Sequence, residues 1–303
     1  MRIGFGIPMS GSWATPANML RVARRAEELG YHSLWTFQRV LYAAEAGWAP
    51  TYRSVHDPIV TMTLVAAHTE RIRVGAAVLN LPFVSPVLLA KQLTTLDIVS
   101  NGRLDVGLGL GWAPEEFVAT GAEMRSRGRR AEEFIAVLRA LWTREVVEYD
   151  GRFYRVPPAI QEPKPVQRPH PPILLGGSAP EALRRAGAMA DGWISSSRAD
   201  LTAIGESIAI VKAAAEEAGR DPAALRFICR GAVMVRPKGV AERKPLTGTL
   251  EEIRADLDDL AAQGVTEVFL DLNFDPEVGA VDADPVAAMR RAEELLEACA
   301  PGR

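Results

Sequence analysis

Apolar and polar positions alternate along this chain in two periods, and the switches between them mark the elements. Ile72 to Leu79 is a nearly unbroken apolar run rich in valine and alanine, which suits a parallel strand covered on both faces. Ser85 to Leu96 then carries apolar residues at helical spacing, with Ser85 as cap and Pro86 at the first helical position. Leu104 to Leu108 returns to strand and runs into alternating glycines at Gly107, Gly109 and Gly111, followed by Trp112. A strand–helix–strand unit ending in glycine leaves bare backbone at the carboxyl edge of a parallel sheet, where flat ligands bind.

The same alternation extends both ways. Arg2 to Ile7 and Ser33 to Phe37 read as strands around the amphipathic helix Pro16 to Leu29, which Gly30 stops. A long loop, Gln38 to Asp57, contains Tyr42, Trp48 and Tyr52, and Pro58 to His68 is helical. Arg127 to Trp142 is a helix with Phe134, Val137, Leu138 and Leu141 on one face. Val146 to Val156 reads as a hairpin reversing tightly at Asp150-Gly151. A proline-rich connection leads to the strand Ile173 to Leu175. Helices at Pro180 to Ala190, Thr202 to Ala218, Thr249 to Gln263 and Asp284 to Cys299 then alternate with strands at Gly192 to Ile194, Leu225 to Val235 and Glu267 to Leu272. Pro237 to Pro245 reads as a polar loop. Eight strands alternating with helices imply a (β/α)8 TIM barrel with loop insertions, one domain over 1–303, with functional groups at the carboxyl ends of the strands.

Composition narrows the partners. At 303 residues, 48% hydrophobic and 24% charged, the chain is long enough for one barrel with insertions. A net charge of −3 without a basic run speaks against nucleic acid or an anionic membrane surface; Arg127 to Arg130 reads as a solvated helix start. Cys229 and Cys299 lack metal spacing, no segment has the length to span a bilayer, and the amino terminus lacks a signal-peptide core. A reducing, cytoplasmic setting is expected.

Ten short stretches, in order, carry a family resemblance: Ala-Glu-Glu-Leu-Gly (26–30), Ser-Leu-Trp (33–35), Thr-Glu-Arg-Ile-Arg-Val-Gly (69–75), Leu-Ala-Lys-Gln-Leu-Thr-Thr-Leu-Asp (89–97), Ser-Asn-Gly-Arg-Leu (100–104), Gly-Leu-Gly-Trp (109–112), Arg-Gly-Arg-Arg (127–130), Leu-Trp-Thr (141–143), Pro-Pro-Ile-Leu-Leu-Gly-Gly (171–177) and Ala-Asp-Gly-Trp (190–193). On these the chain resembles the bacterial luciferase-like superfamily, most closely its coenzyme F420-dependent oxidoreductase branch. The resemblance implies a flavin-type ring across the barrel mouth and a non-prolyl cis peptide supporting it, which here would be Ala77–Val78. It implies close backbone approach at Gly109 and Gly111, and, since relatives are commonly dimers, a homodimer. Gly176, Gly177 and Ser178 precede a helix and offer free N–H groups and a hydroxyl to a phosphate. Alone they fit a plain strand-to-helix turn; their place after the fifth strand, with the family resemblance, favours the phosphate contact.

One departure stands out. Where deazaflavin-dependent relatives often carry Asp-His after the second strand, this chain has Gln38-Arg39, and neither residue can act as an acid near neutral pH. Arg39 reads either as a holder of an anionic substrate or coenzyme tail, or as a solvated loop arginine. His56 is the remaining candidate acid, with a surface-loop histidine as the plainer reading; Glu115 and Glu116 read as helix-opening residues. Trp112 reads as a pocket-lining residue. The expected activity is hydride transfer between coenzyme F420 and a small organic substrate. The alternatives are an FMN-dependent monooxygenase and a cofactor-binding barrel without turnover. A cofactor-free aldolase or isomerase would need a lysine or carboxylate pair at strand ends, and Lys91 and Lys164 fall elsewhere.

Overall fold

The computed structural model describes residues 1–239 and 242–302. Eight parallel strands close into a barrel: β1 (Arg2–Gly6), β2 (Ser33–Thr36), β3 (Arg73–Ala76), β4 (Leu104–Gly109), β5 (Ile173–Gly176), β6 (Gly192–Ile194), β7 (Arg226–Ala232) and β8 (Glu267–Asp271). Each neighbours the next in chain order, β8 pairs with β1 (Arg2↔Glu267), and β3 pairs with β4 (Val74↔Leu104), so no edge is left open. The helices that follow the strands are α1 (Pro16–Glu28), α2 (Pro58–Ala66), α3 (Pro86–Val99), α4 (Arg127–Thr143), α5 (Pro180–Met189), α6 (Ile204–Glu217), α7 (Leu250–Ala262) and α8 (Pro285–Ala298). This is the expected (β/α)8 barrel. The expected caps are present: Ser85 accepts from the Val87 N–H, and Thr249 and Glu252 form a capping box on α7.

Strand periodicity sorts the side chains into two cores. One parity, including Phe5, Leu34, Val74, Val106, Leu108, Phe227 and Leu270, packs outward into the main core with the helices. The other parity fills the barrel in layers. Ser33, Arg73, Asp105, Arg226 and Glu267 occupy the amino end; Trp35, Leu174, Ile194, Ile228 and Phe269 form an apolar plug above them. Trp35 stacks on Phe269 at 5.2 Å between centroids, and Gly75 makes room for it, since a Cβ there would lie 2.6 Å from the Trp35 ring.

Several boundaries differ from the sequence reading, each for a local reason. The run Ile72 to Leu79 is not one strand: β3 ends at Ala76, the Ala77–Val78 peptide is cis, and pairing with β4 resumes at Leu79–Asn80. The second helix stops at Ala66, not His68; the Ala66 carbonyl, like that of Thr69, accepts from the buried Arg103. The hairpin pairs Val147–Asp150 with Arg155–Ala159, but its loop spans four residues, 151–154, instead of turning at Asp150-Gly151. The Glu133 carboxylate gathers the N–H groups of Arg152, Phe153 and Tyr154 and so dictates the wider loop. The Leu225 to Val235 run ends as a barrel strand at Ala232, after which Met234–Val235 pairs with Thr247–Gly248. Within the expected loop 237–245, positions 240 and 241 lie outside the described residues.

Candidate functional site

The carboxyl rim is built around the end of β3. Val78 is half-buried and leans between β4 and β5: a Cβ on Gly109 would overlap its Cγ2, and one on Gly176 would lie 2.9 Å from its Cγ1. Glycine at both positions lets Val78 seat, so Ala77, Val78, Gly109 and Gly176 meet at one place. Gln38 joins them through its Oε1, which accepts from the Asn80 N–H at 2.8 Å and ties the end of β2 to the resumed strand.

Across the barrel from β3, Arg230 on β7 reaches over the apolar plug. Its Nη1 donates to the Ala77 carbonyl at 2.8 Å and its Nε to Asp271 at 2.9 Å, while the guanidinium lies 4.4 Å from the Phe274 centroid and 4.9 Å from that of Phe37. Asp271 is held in turn by the N–H and amide nitrogen of Asn273. Arg230 is 8% exposed, and its Nη2 makes no hydrogen bond among the described residues. In the sequence this residue shows only as a charge inside an apolar strand, on the same parity as Arg226 and Ile228.

Arg39 is not a solvated loop arginine. Its side chain is 7% exposed, pairs with the fully buried Glu116 at 3.2 Å, and lies over Trp112 (4.9 Å), Tyr52 (5.4 Å) and Trp48 (5.8 Å). Glu116 therefore does more than open the short helix Pro114–Thr120: its other oxygen accepts from the Val40 N–H at 2.7 Å, locking the loop after β2 to the loop after β4. Burial lowers the Arg39 pKa from its ordinary value, and the Glu116 charge opposes that shift. Trp112 remains 43% exposed, with Arg198 over its ring at 5.2 Å. Gly111 sits at φ 71°, and a Cβ there would press on Phe117 (3.0 Å) and Phe83 (3.2 Å), so the turn into Trp112 requires glycine.

Gly176, Gly177 and Ser178 run from β5 into α5. The α5 cap, Ala179, offers no side-chain acceptor; Pro180 has no N–H and Ala182 donates to the Ala179 carbonyl at 2.9 Å, which leaves the Glu181 N–H of the first turn for an anion. Trp193 donates to the Gly177 carbonyl at 2.8 Å, fixing the turn. His56 is engaged elsewhere: its Nε2 donates to the Ala14 carbonyl at 2.7 Å. Neither cysteine offers a thiolate, since burial pushes Cys229 up to about 12 and Cys299 to about 11. Among the described residues no His, Cys, Asp and Glu cluster could hold a metal ion, and no helix is long and apolar enough to cross a membrane.

The amino end of the barrel is charged for a different purpose. Asp105 takes bonds from Arg73 (2.7 and 3.0 Å) and Arg226 (2.7 and 3.0 Å), and Arg226 reaches Glu267 at 2.9 Å. Glu267 also accepts from Ser33 (2.5 Å) and Trp35 (3.0 Å). Against the cost of burial, the Arg226 and Arg73 charges and bonds hold the Asp105 carboxyl down to about 2. A cleft of about 540 Å³ opens at this end, lined by Arg2, Glu27, His32 and Arg71, on the opposite side of the barrel from the glycine-lined rim. Barrel enzymes work at the carboxyl rim, so the rim is the candidate active site.

Residues 3–264 match the luciferase-like monooxygenase family profile. An uncharacterized protein of Mycobacterium tuberculosis (strain ATCC 25618 / H37Rv) is 39% identical over 171 residues, 56% of this chain and 60% of its own length. An FMNH(2)-dependent dimethylsulfone monooxygenase of Pseudomonas putida is 38% identical over 59% of this chain and 48% of its own. An F420-dependent glucose-6-phosphate dehydrogenase of Amycolatopsis mediterranei (strain U-32) is 31% identical over 63% of this chain and 57% of its own. The alignments with these relatives thus span about half to three-fifths of their lengths. Among solved structures, a monooxygenase from Streptomyces bottropensis superposes with TM-score 0.80 at 25% identity over 99% of both chains. An F420-dependent secondary alcohol dehydrogenase in complex with an F420-acetone adduct shares the fold, at TM-score 0.79 and 18% identity over 98% of both chains.

Proposed function

The chain belongs to the luciferase-like monooxygenase family, and on that premise we propose that it is an oxidoreductase holding a flavin-type ring, coenzyme F420 in the first reading, at the carboxyl rim of the barrel. The observation that carries the reading is the junction where β3, β4 and β5 end: the half-buried Val78 seats between Gly109 and Gly176, and Arg230 holds the Ala77 carbonyl. These residues fit a planar group, because the strand ends there carry only glycine, alanine and the half-buried Val78, beside an exposed indole, Trp112. Gly176, Gly177 and Ser178, with the uncapped start of α5, fit a phosphate on the same group.

The bound ring would supply hydride chemistry to a small organic substrate. The protein's share is binding and orientation: the Ala77–Val78 peptide supports the group, Gly109 lets Val78 seat, Gly111 turns the chain into Trp112, and the aromatic wall of Trp48, Tyr52 and Trp112 excludes water. Arg39 and Glu116 close that wall instead of moving a proton. This last point favours a second reading, an FMN-dependent monooxygenase, in which no acid is needed where relatives carry Asp-His. The homodimer, the cytoplasmic setting and the single domain over 1–303 belong to the same proposal.

Titration of the purified protein separately with coenzyme F420 and with FMN, followed by absorbance, tests the reading. Saturable binding of coenzyme F420 with a shifted spectrum is expected; binding of FMN alone moves the assignment to the second reading, and binding of neither overturns both.

A further inference from the structure

We infer that Arg230, paired with Asp271, is a positioning residue that also sets the reduction potential of the ring bound at the rim; the inference rests on the function proposed for that rim. Arg230 spans the mouth from β7 to the chain just beyond β3, the opposite wall. Its guanidinium is walled by Phe37, Phe269 and Phe274, with centroids 4.9, 5.7 and 4.4 Å away. Its Nε is committed to Asp271 and its Nη1 to Ala77, which leaves Nη2 as the edge with no hydrogen bond among the described residues.

The pair is therefore a fixed dipole. Both Asp271 oxygens are taken up within the protein, Oδ2 by Arg230 and Oδ1 by Asn273, whereas the cation retains an uncommitted donor beside the carbonyl that supports the ring. The Nη2 edge is not sealed inside the protein, so it is the side of the cation open to a bound group. Taking up a hydride brings two electrons and one proton, so a neutral ring gains one negative charge unless a second proton follows. A fixed cation in a poorly solvated site favours that charged product over the neutral oxidised form. Arg230 thus raises the potential, and Asp271, as its counter-charge, moderates the rise.

The test is the midpoint potential of the bound cofactor, read by dithionite titration against a reference dye, in wild type, Arg230→Gln, Arg230→Lys and Asp271→Asn. Arg230→Gln is expected to shift the reduced-to-oxidised ratio at fixed dye potential about tenfold toward oxidised, about 30 mV for a two-electron couple. Asp271→Asn is expected to shift it the other way, and Arg230→Lys to stay near wild type while binding the cofactor more weakly. Matching potentials in all four proteins with binding intact overturn the inference and leave the proposed function standing. Failure of wild type to bind either cofactor overturns both. If Arg230→Gln does not fold, Asp271→Asn decides alone, an unchanged potential overturning the inference.

Discussion

At the scale of single residues, the rim depends on missing Cβ atoms. Adding one at Gly109 drives it into Val78 Cγ2, and the neighbour that must give is a β-branched side chain already confined by Gly176. Gly109→Ala is expected to cost about 1–3 kcal/mol of stability and to weaken cofactor binding. Val78→Ala in the same chain should recover most of both losses. A double-mutant cycle on urea midpoints and cofactor affinity checks this; additive losses would mean that Gly109 and Val78 act independently. Glu116 carries a second expectation. Glu116→Ala leaves Arg39 buried without its counter-charge and the Val40 N–H without its acceptor, so a loss of about 3–5 kcal/mol is expected. Thermal unfolding reads it, and Arg39→Leu with Glu116→Leu should lose less than either single change. Gly109, Gly111 and Gly176 are legible in the sequence because glycine at a strand end has no side chain to pack and so points to the backbone itself. Arg39 is legible as a candidate, but its burial is not, because the residues that cover it, Trp48, Tyr52 and Trp112, come from two loops far apart in sequence. Arg230 is not legible, because one charge in an apolar strand looks the same whether it faces helices or the barrel interior.

At the scale of elements, hydrophobic period locates every barrel strand, including the three-residue β6, since alternation and flanking glycines are local properties. Interruptions imposed from elsewhere are not legible. β3 stops at Ala76 because the chain beyond it is held from outside, by Arg230 at the Ala77 carbonyl and by Gln38 at the Asn80 N–H. The hairpin after α4 illustrates the same thing. Asp150-Gly151 has the composition of a tight turn, yet Glu133 on α4 supplies an acceptor for three successive N–H groups and a four-residue loop wins. Glu133→Ala should free those groups, raise amide hydrogen exchange at Arg152, Phe153 and Tyr154, and leave cofactor affinity unchanged. Unchanged exchange would show that the strand pairing alone holds the loop.

At the scale of the molecule, the two ends of the barrel divide the work, with the plug of Trp35 and Phe269 between them. The amino-end ion network bonds side chains from β2, β3, β4, β7 and β8, so it ties five strands together at the end away from the rim. Its acid dependence has a definite sign. Asp105 is held at about 2, below its ordinary 3.8, so its contribution is complete above the ordinary value and disappears as the pH falls through about 2. A shift of that size corresponds to about 2 kcal/mol of stability lost on acidification. Asp105→Asn should remove this part of the acid dependence. At neutral pH it should also destabilise by about 3–5 kcal/mol, because Arg73 and Arg226 lose their shared counter-charge. Urea unfolding at several pH values measures both effects. Because the plug separates this network from Arg230 and the glycines, affinity for the rim ligand should stay at the wild-type value wherever the variant is folded. A parallel loss of affinity would mean that the ends are coupled through the plug, and Trp35 would then be the residue to change next.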